Sequence, residues 1–196
     1  MIRLHRPPCP NPRALARDYR APVNKSALRA ACFDKCMYCE SKVSHTSYGD
    51  VEHHRPKGRP EFAHLEFSWE NLGYVCTRCN NAKSDKWSNV TPFVDPFDED
   101  PDEHLAAVGE WIFQRGGSER GEYTVRELEL NRAELIERRR ERIKAICELL
   151  DKAARTCSPE LREMISRELQ EDLADAREYA MTSRAAYLQI RAKPPS

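Results

Sequence analysis

The sequence predicts an α+β fold that is mainly helical: a small zinc-stabilised core, an N-terminal arm and helix before it, and a C-terminal antiparallel helix pair after it. Three observations lead there. Two Cys-x2-Cys pairs, Cys36 with Cys39 and Cys76 with Cys79, bracket a stretch with little helical period. Inside that stretch Val51 to His54 reads as a short strand, preceded by a Gly49-Asp50 turn and ended by Pro56-Lys57-Gly58. In the last third of the chain, apolar residues return at helical intervals.

The elements follow in order. Residues 1–25 form an arm rich in proline (Pro7, Pro8, Pro10, Pro12, Pro22), expected to lie extended before a helix over about Ser26 to Lys35. Residues 26–90 are the core segment, with a second helix beginning within Asn80 to Trp87. Residues 91–123 hold an acidic loop, Pro92 to Glu103, expected as a surface crossing. A strand over Val108 to Gln114 follows, turning at Gly116-Gly117 towards an extended piece near Tyr123. Residues 124–196 are helical. Thr124-Val125-Arg126-Glu127 and Asn131-Arg132-Ala133-Glu134 both have capping-box spacing, and the second should start a long helix with Leu135, Ile136, Ile143, Ile146, Leu149 and Leu150 on one side. Arg138, Arg139 and Arg140 are expected as its solvated face. Ser158-Pro159-Glu160 opens a partner helix striped by Leu161, Ile165, Leu169 and Leu173.

Composition bounds the function. Of 196 residues 33% are charged and the formal net charge is zero, so the whole molecule exerts no general pull on nucleic acid or anionic lipid. Within residues 1–35, eight Lys and Arg face Asp18 and Asp34, a local excess that could sit on phosphates. No apolar run approaches the roughly 20 residues a bilayer span needs, and no secretory signal opens the chain, which points to the cytoplasm and away from membranes. In that reducing compartment eight cysteines serve as metal ligands or small buried residues rather than as disulfides.

Each Cys-x2-Cys pair turns two sulfurs towards a common ion, and four thiolates close a tetrahedral, structural zinc site. Cys32 is a possible substitute ligand but reads better as a buried residue, as do Cys9, Cys147 and Cys157 as ordinary thiols. Zinc would tie the ends of the intervening loop together and bring Glu52, His53 and His54 near Asn80 and Lys83. A carboxylate or imidazole from one side and an amide oxygen from the other can share a divalent cation, while a neighbouring imidazole deprotonates water. Those are the requirements of phosphodiester hydrolysis. His5, His45, His64 and His104 have no companions at ligand spacing.

Glu52-His53-His54-Arg55-Pro56, then Asn71-Leu72, then Cys79-Asn80-Asn81-Ala82-Lys83 resemble the HNH nuclease family and its ββα-metal core. The resemblance implies Glu52 and Asn80 as ligands of a catalytic Mg2+ or Mn2+, His53 as general base, Asn71 as the amide that holds the loop to the strand, and Lys83 or Arg55 on phosphate. Asn80 stands where the family more often has His. The doubled histidine leaves the register open: a slip of one residue makes His53 the ligand and His54 the base. Glu-His-x-Arg-Pro-Lys, Trp69-x-Asn71-Leu72 and Leu128-x-Leu130-Asn131 are similar, more narrowly, to the PtuB-like HNH nucleases of Septu and retron-associated anti-phage systems. That likeness implies DNA as substrate, a PtuA-type ATPase partner and assembly through it.

Two function classes remain: a metal-dependent endonuclease, and a zinc-stabilised nucleic-acid-binding or adaptor module without cleavage. They share the cysteines and differ on Glu52, His53 and Asn80. A redox role for Cys-x2-Cys is disfavoured by the presence of two such pairs.

Overall fold

A computed structural model describes residues 1–43 and 49–192; His45 lies outside the described residues. The fold is mixed and about half helical. Two short antiparallel hairpins are embedded among helices, and one apolar core runs from Met1 to Met181.

The arm departs from expectation. Its backbone is mostly extended, but it is packed rather than free: Met1, Leu4 and Leu15 are buried, and the Leu4 amide donates to the Pro96 carbonyl at 2.8 Å. Arg6 donates to the Trp69 carbonyl at 2.9 Å, and the Trp69 indole returns a bond to the Pro7 carbonyl at 2.7 Å. After a single turn of helix, α1 (Pro12–Leu15), helix α2 spans Pro22–Ala31. It starts earlier than Ser26 because Pro22 fits the first helical turn, where its missing N–H costs nothing. It stops where Phe33 and Asp34 adopt positive φ.

Strand β1 (Asp50–His53) pairs with β2 (Leu72–Val75), Glu52 lying opposite Gly73 and His53 opposite Leu72. A Cβ on Gly73 would come within 2.0 Å of the Met37 sulfur, so only glycine lets the first cysteine turn pack under the sheet. Helix α3 (Thr77–Lys83) starts at the second cysteine pair, earlier than the sequence suggests, because the Cys76 sulfur caps it by accepting from the Cys79 amide at 3.4 Å.

The acidic stretch is not a surface crossing. Phe93, Val94, Asp95 and Phe97 are buried, and Thr124, which sequence spacing offers as an N-cap, sits inside α4 (Glu119–Glu127) and accepts from the Val94 amide at 2.9 Å. Burying Phe93 and Phe97 outweighs the polarity of their neighbours. The second hairpin joins β3 (Leu105–Val108) to β4 (Trp111–Gln114), turning at Gly109 with φ +56°, so the expected single strand is two, and Tyr123 is helical. Ser118 is the actual cap of α4, accepting from the Gly121 amide.

The long helix α5 (Ala133–Arg155) begins after Arg132; the Asn131 amide instead bonds both the N–H and the C=O of Ile112, at 2.9 and 2.7 Å. Helix α6 (Pro159–Asp172) returns along α5, with Ile146, Leu149, Ile165 and Leu169 between them. A third helix, α7 (Ala180–Arg191), packs on α5 and β3. The arginine run splits. Arg138 and Arg140 are exposed, but Arg139 is 1% exposed, donating to the Glu110 carbonyl and the Asn131 amide with its guanidinium above Tyr179.

Candidate functional site: a cysteine cluster beside a polar cleft

The two cysteine pairs meet. Their four sulfurs lie within 4.8 Å of one another, with Cys39 and Cys76 at 3.8 Å. Zinc–thiolate bonds of about 2.3 Å place tetrahedral sulfurs about 3.8 Å apart, so the cluster fits a zinc ion. The Ser41 hydroxyl stands 3.3 Å from the Cys39 sulfur and an Arg132 nitrogen 3.7 Å from that of Cys79, polar support for negative thiolates. The other four cysteines stay outside the cluster.

Helix α3 then links this cluster to a second place. Cys79 turns into the cluster; Asn80, the next residue, lines a cleft of about 300 Å3 together with Glu52, His53, Tyr19, Arg20 and Lys57. Three of the sequence-predicted residues are thus gathered on one wall. The His53 Nε2 lies 2.9 Å from the Glu66 carbonyl. A carbonyl only accepts, so Nε2 carries the proton and Nδ1 holds the lone pair, with no hydrogen-bond partner among the described residues. Burial lowers the pKa of His53, which keeps the ring neutral with its Nδ1 lone pair available.

Glu52 is 5% exposed, and its Oε1 lies 2.5 Å from the Lys83 ammonium. Burial pushes its carboxyl pKa up and the charge of Lys83 opposes that rise. Lys83 itself is fully buried and also donates to the His53 carbonyl at 2.8 Å. This corrects one expectation: Lys83 holds strand β1 from within and does not reach a phosphate. A residue buried to this depth has no surface to offer one, and the sequence carried no sign of its ion pair. Arg55 is exposed, but it lines a recess on the other side of β1.

That other side holds His54. It is buried, with Nδ1 3.3 Å from the Tyr38 hydroxyl and its ring against the edge of Trp87. Burial pushes its pKa down to about 3, and its separation of 3.7 Å from Asp95 is too long for a hydrogen bond. His54 therefore does not border the cleft with Glu52 and Asn80. Asn71 is also buried. Its Oδ1 accepts from the Arg55 amide at 2.8 Å and its Nδ2 donates to the carbonyls of Arg55 and Leu65, at 3.0 and 3.4 Å.

Sequence reasoning passed over Tyr19, Arg20 and Lys57 as site residues. The Tyr19 ring meets the His53 imidazole edge to face at 4.6 Å, and the Lys57 ammonium lies above Tyr19 while bonding the Glu66 carboxylate at 2.6 Å. Lys57 stood in the motif and could have been found there. Tyr19 comes from the arm, and no spacing rule connects it to the cleft. His5 and His64 are exposed, and His104 bonds Ser118 and Glu99. Among the described residues no helix is long and apolar enough to cross a membrane.

Residues 36–86 match the family model for HNH endonuclease. The Septu protein PtuB of Bacillus mycoides (strain KBAB4) is 30% identical over 150 residues, which is 62% of this chain and 51% of that protein. The Septu protein PtuB of Bacillus thuringiensis is 32% identical over 116 residues, 59% of this chain and 44% of that protein. The chain thus spans about half the length of the curated relatives it matches. The family match covers both cysteine pairs, Glu52, His53, Asn71 and Asn80: residues 36–86 are similar to the HNH endonuclease family, and the chain as a whole is similar to the PtuB proteins over about 60% of its length.

Proposed function

We propose that this chain is a divalent-metal-dependent HNH endonuclease that hydrolyses DNA phosphodiester bonds. The observation that carries the reading is the convergence of Glu52, His53 and Asn80 on one cleft. Carboxylate and amide oxygens are hard donors suited to Mg2+ or Mn2+, and two protein ligands leave positions open for water and a phosphate oxygen. When bound, such an ion supplies charge neutralisation at phosphorus and at the leaving oxygen. The protein's own share is to accept the proton of water at His53 Nδ1, to fix that ring through the Glu66 carbonyl and Tyr19, and to attract phosphate with Arg20 and Lys57 at the rim. Zinc at the four cysteines serves as scaffold. Lys42, Arg78, Arg132 and Arg138 line a further cleft of about 550 Å3 beside it, a second place for backbone phosphates.

We place the activity in anti-phage defence with a PtuA-type ATPase partner in the cytoplasm, on the strength of the relatives named PtuB. A net charge of zero gives weak intrinsic affinity for DNA, so a partner that delivers the substrate fits the composition.

One observation favours the alternative of a binding module without cleavage: Lys83 already neutralises the Glu52 carboxylate. Plasmid nicking with Mg2+ or Mn2+ and the partner present separates the two. Wild type is expected to nick and His53→Ala to lose about 10²–10⁴-fold in rate; equal rates would leave the binding module standing.

A further inference from the structure

We propose that the packed arm, residues 11–21, is a ledge along which the DNA backbone runs: Arg13, Arg17 and Arg20 hold phosphates that flank the one in the cleft of Glu52, His53 and Asn80. This deepens the nuclease reading and rests on it for the substrate.

The first observation is an asymmetry among the arginines. From Arg78 to Arg191 every arginine side chain has a hydrogen bond or an ion pair. Arg13, Arg17 and Arg20 are exposed, and among the described residues their guanidinium groups have neither; that of Arg20 lies only over the Tyr19 ring, at 5.0 Å. Arg3 and Arg55 are unpaired too, but the charge of Arg3 acts on the buried Asp95, and Arg55 lines the recess behind β1 together with Asp95. The one carboxylate within the ledge is that of Asp18, whose Oδ1 is taken by the Arg20 backbone amide at 2.8 Å.

The second observation is that the ledge is fixed to the core and abuts the cleft. Asn24, fully buried, accepts from the Asn11 amide and donates to the Asn11 carbonyl, both at 3.0 Å, and Leu15 and Ala21 are buried. The Asn11 side chain caps α1 at the Ala14 amide, and the turn runs on as the Ala16 and Asp18 amides donate to the Pro12 and Ala14 carbonyls. Arg13 and Arg17 are therefore one helical turn apart, a spacing at which like charges repel. Tyr19 then meets His53 and Arg20 lines the cleft, so the ledge is continuous with it.

Duplex DNA offers one phosphate per about 3.4 Å of each strand, a row that gives every one of these guanidinium groups a partner. The contacts are to charge alone, so they set the position of the duplex without reading its sequence.

The test follows binding of a short fluorescein-labelled duplex to the zinc-loaded full chain by anisotropy, over a series of KCl concentrations and without added divalent ion. The ledge variant Arg13→Gln/Arg17→Gln/Arg20→Gln is compared with Arg126→Gln/Arg155→Gln/Arg167→Gln, which removes the same charge from ion-paired positions on the helices. The ledge variant is expected to bind about tenfold or more weakly at low salt and to flatten the dependence of log K on log[KCl] by about 0.9 per arginine, while the helix variant keeps the wild-type slope. Absence of saturable wild-type binding at low salt, an unchanged slope in the ledge variant, an equal loss in the helix variant, or a poly-glutamate peptide that binds as tightly as the duplex overturns the proposal. Nicking with Mg2+ is scored separately. A chain that binds through the ledge but never nicks refutes the nuclease reading alone, and one that nicks while the ledge variant binds like wild type refutes the ledge alone.

Discussion

On one side of β1 the His53 imidazole borders a cleft with Glu52 and Asn80, its proton fixed on Nε2 by the Glu66 carbonyl. On the other side His54, the next residue, is enclosed by Tyr38, Trp87 and Asp95. The residue type is the same; the surroundings divide its uses. Both rings are buried, at 6% and 7% exposure, so the difference lies in their partners: the His53 ring keeps a nitrogen lone pair with no described partner, which can take a proton, whereas the His54 Nδ1 is held beside the Tyr38 hydroxyl. The difference depends on what fixes the strand: the cysteine cluster at one end of α3 and Lys83 at the other.

Removing the scaffold should erase the distinction altogether. Structural zinc contributes about 10–16 kcal/mol in small zinc domains, on the scale of a whole domain's stability of about 5–15 kcal/mol. Chelation, or Cys39→Ser, is expected to abolish the cooperative thermal transition, followed by near-ultraviolet circular dichroism. A Tm that ignores chelator would disprove the scaffold role.

Lys83→Met attacks the same strand from within. It strands the Glu52 carboxylate in a buried position, which costs about 3–5 kcal/mol in denaturant titration, and adding Glu52→Gln should restore most of the loss. If the double variant is no more stable than the single, the ion pair is not what holds β1.

The smallest effect isolates the rear side. Burial holds the folded pKa of His54 at about 3, against an ordinary 6.5. The unfolded chain binds the extra proton between those values, so the stability this group contributes is complete above about 6.5 and drains away as pH falls towards about 3. The Tm of wild type should fall more steeply over that window than that of His54→Gln. Parallel profiles would mean that burial does not hold His54 neutral.

Some of this was legible in the sequence because spacing carries it. Cys-x2-Cys pairs, the strand before Pro56 and the helical stripe of Leu135, Ile146 and Leu149 are all periodic signals. Strand β2 was not legible as a strand: Leu-Gly-Tyr-Val is short, buried on both faces and interrupted by glycine, so alternation is absent. The fates of Lys83 and Arg139 depend on partners far along the chain, Glu52 and Tyr179, where sequence reading placed Lys83 on a phosphate and Arg139 on a solvated face; Asp95, read as part of a surface crossing, is buried with its neighbours Phe93 and Phe97. Tyr19 and Arg20 reach the cleft only because the arm is packed down, which no local rule foretells.

Asn71 has one more consequence. The paired strands end at His53 and Leu72, the backbone adds one bond from the His54 amide to the Asn71 carbonyl at 2.9 Å, and the Asn71 side-chain amide then bonds both the N–H and the C=O of Arg55, lengthening the sheet by one rung made of side chain. The same NH2 group reaches the Leu65 carbonyl, so a single amide fastens both ends of the excursion between residues 55 and 65. What lies between those ends can change in length or sequence while the strand that carries His53 stays in register.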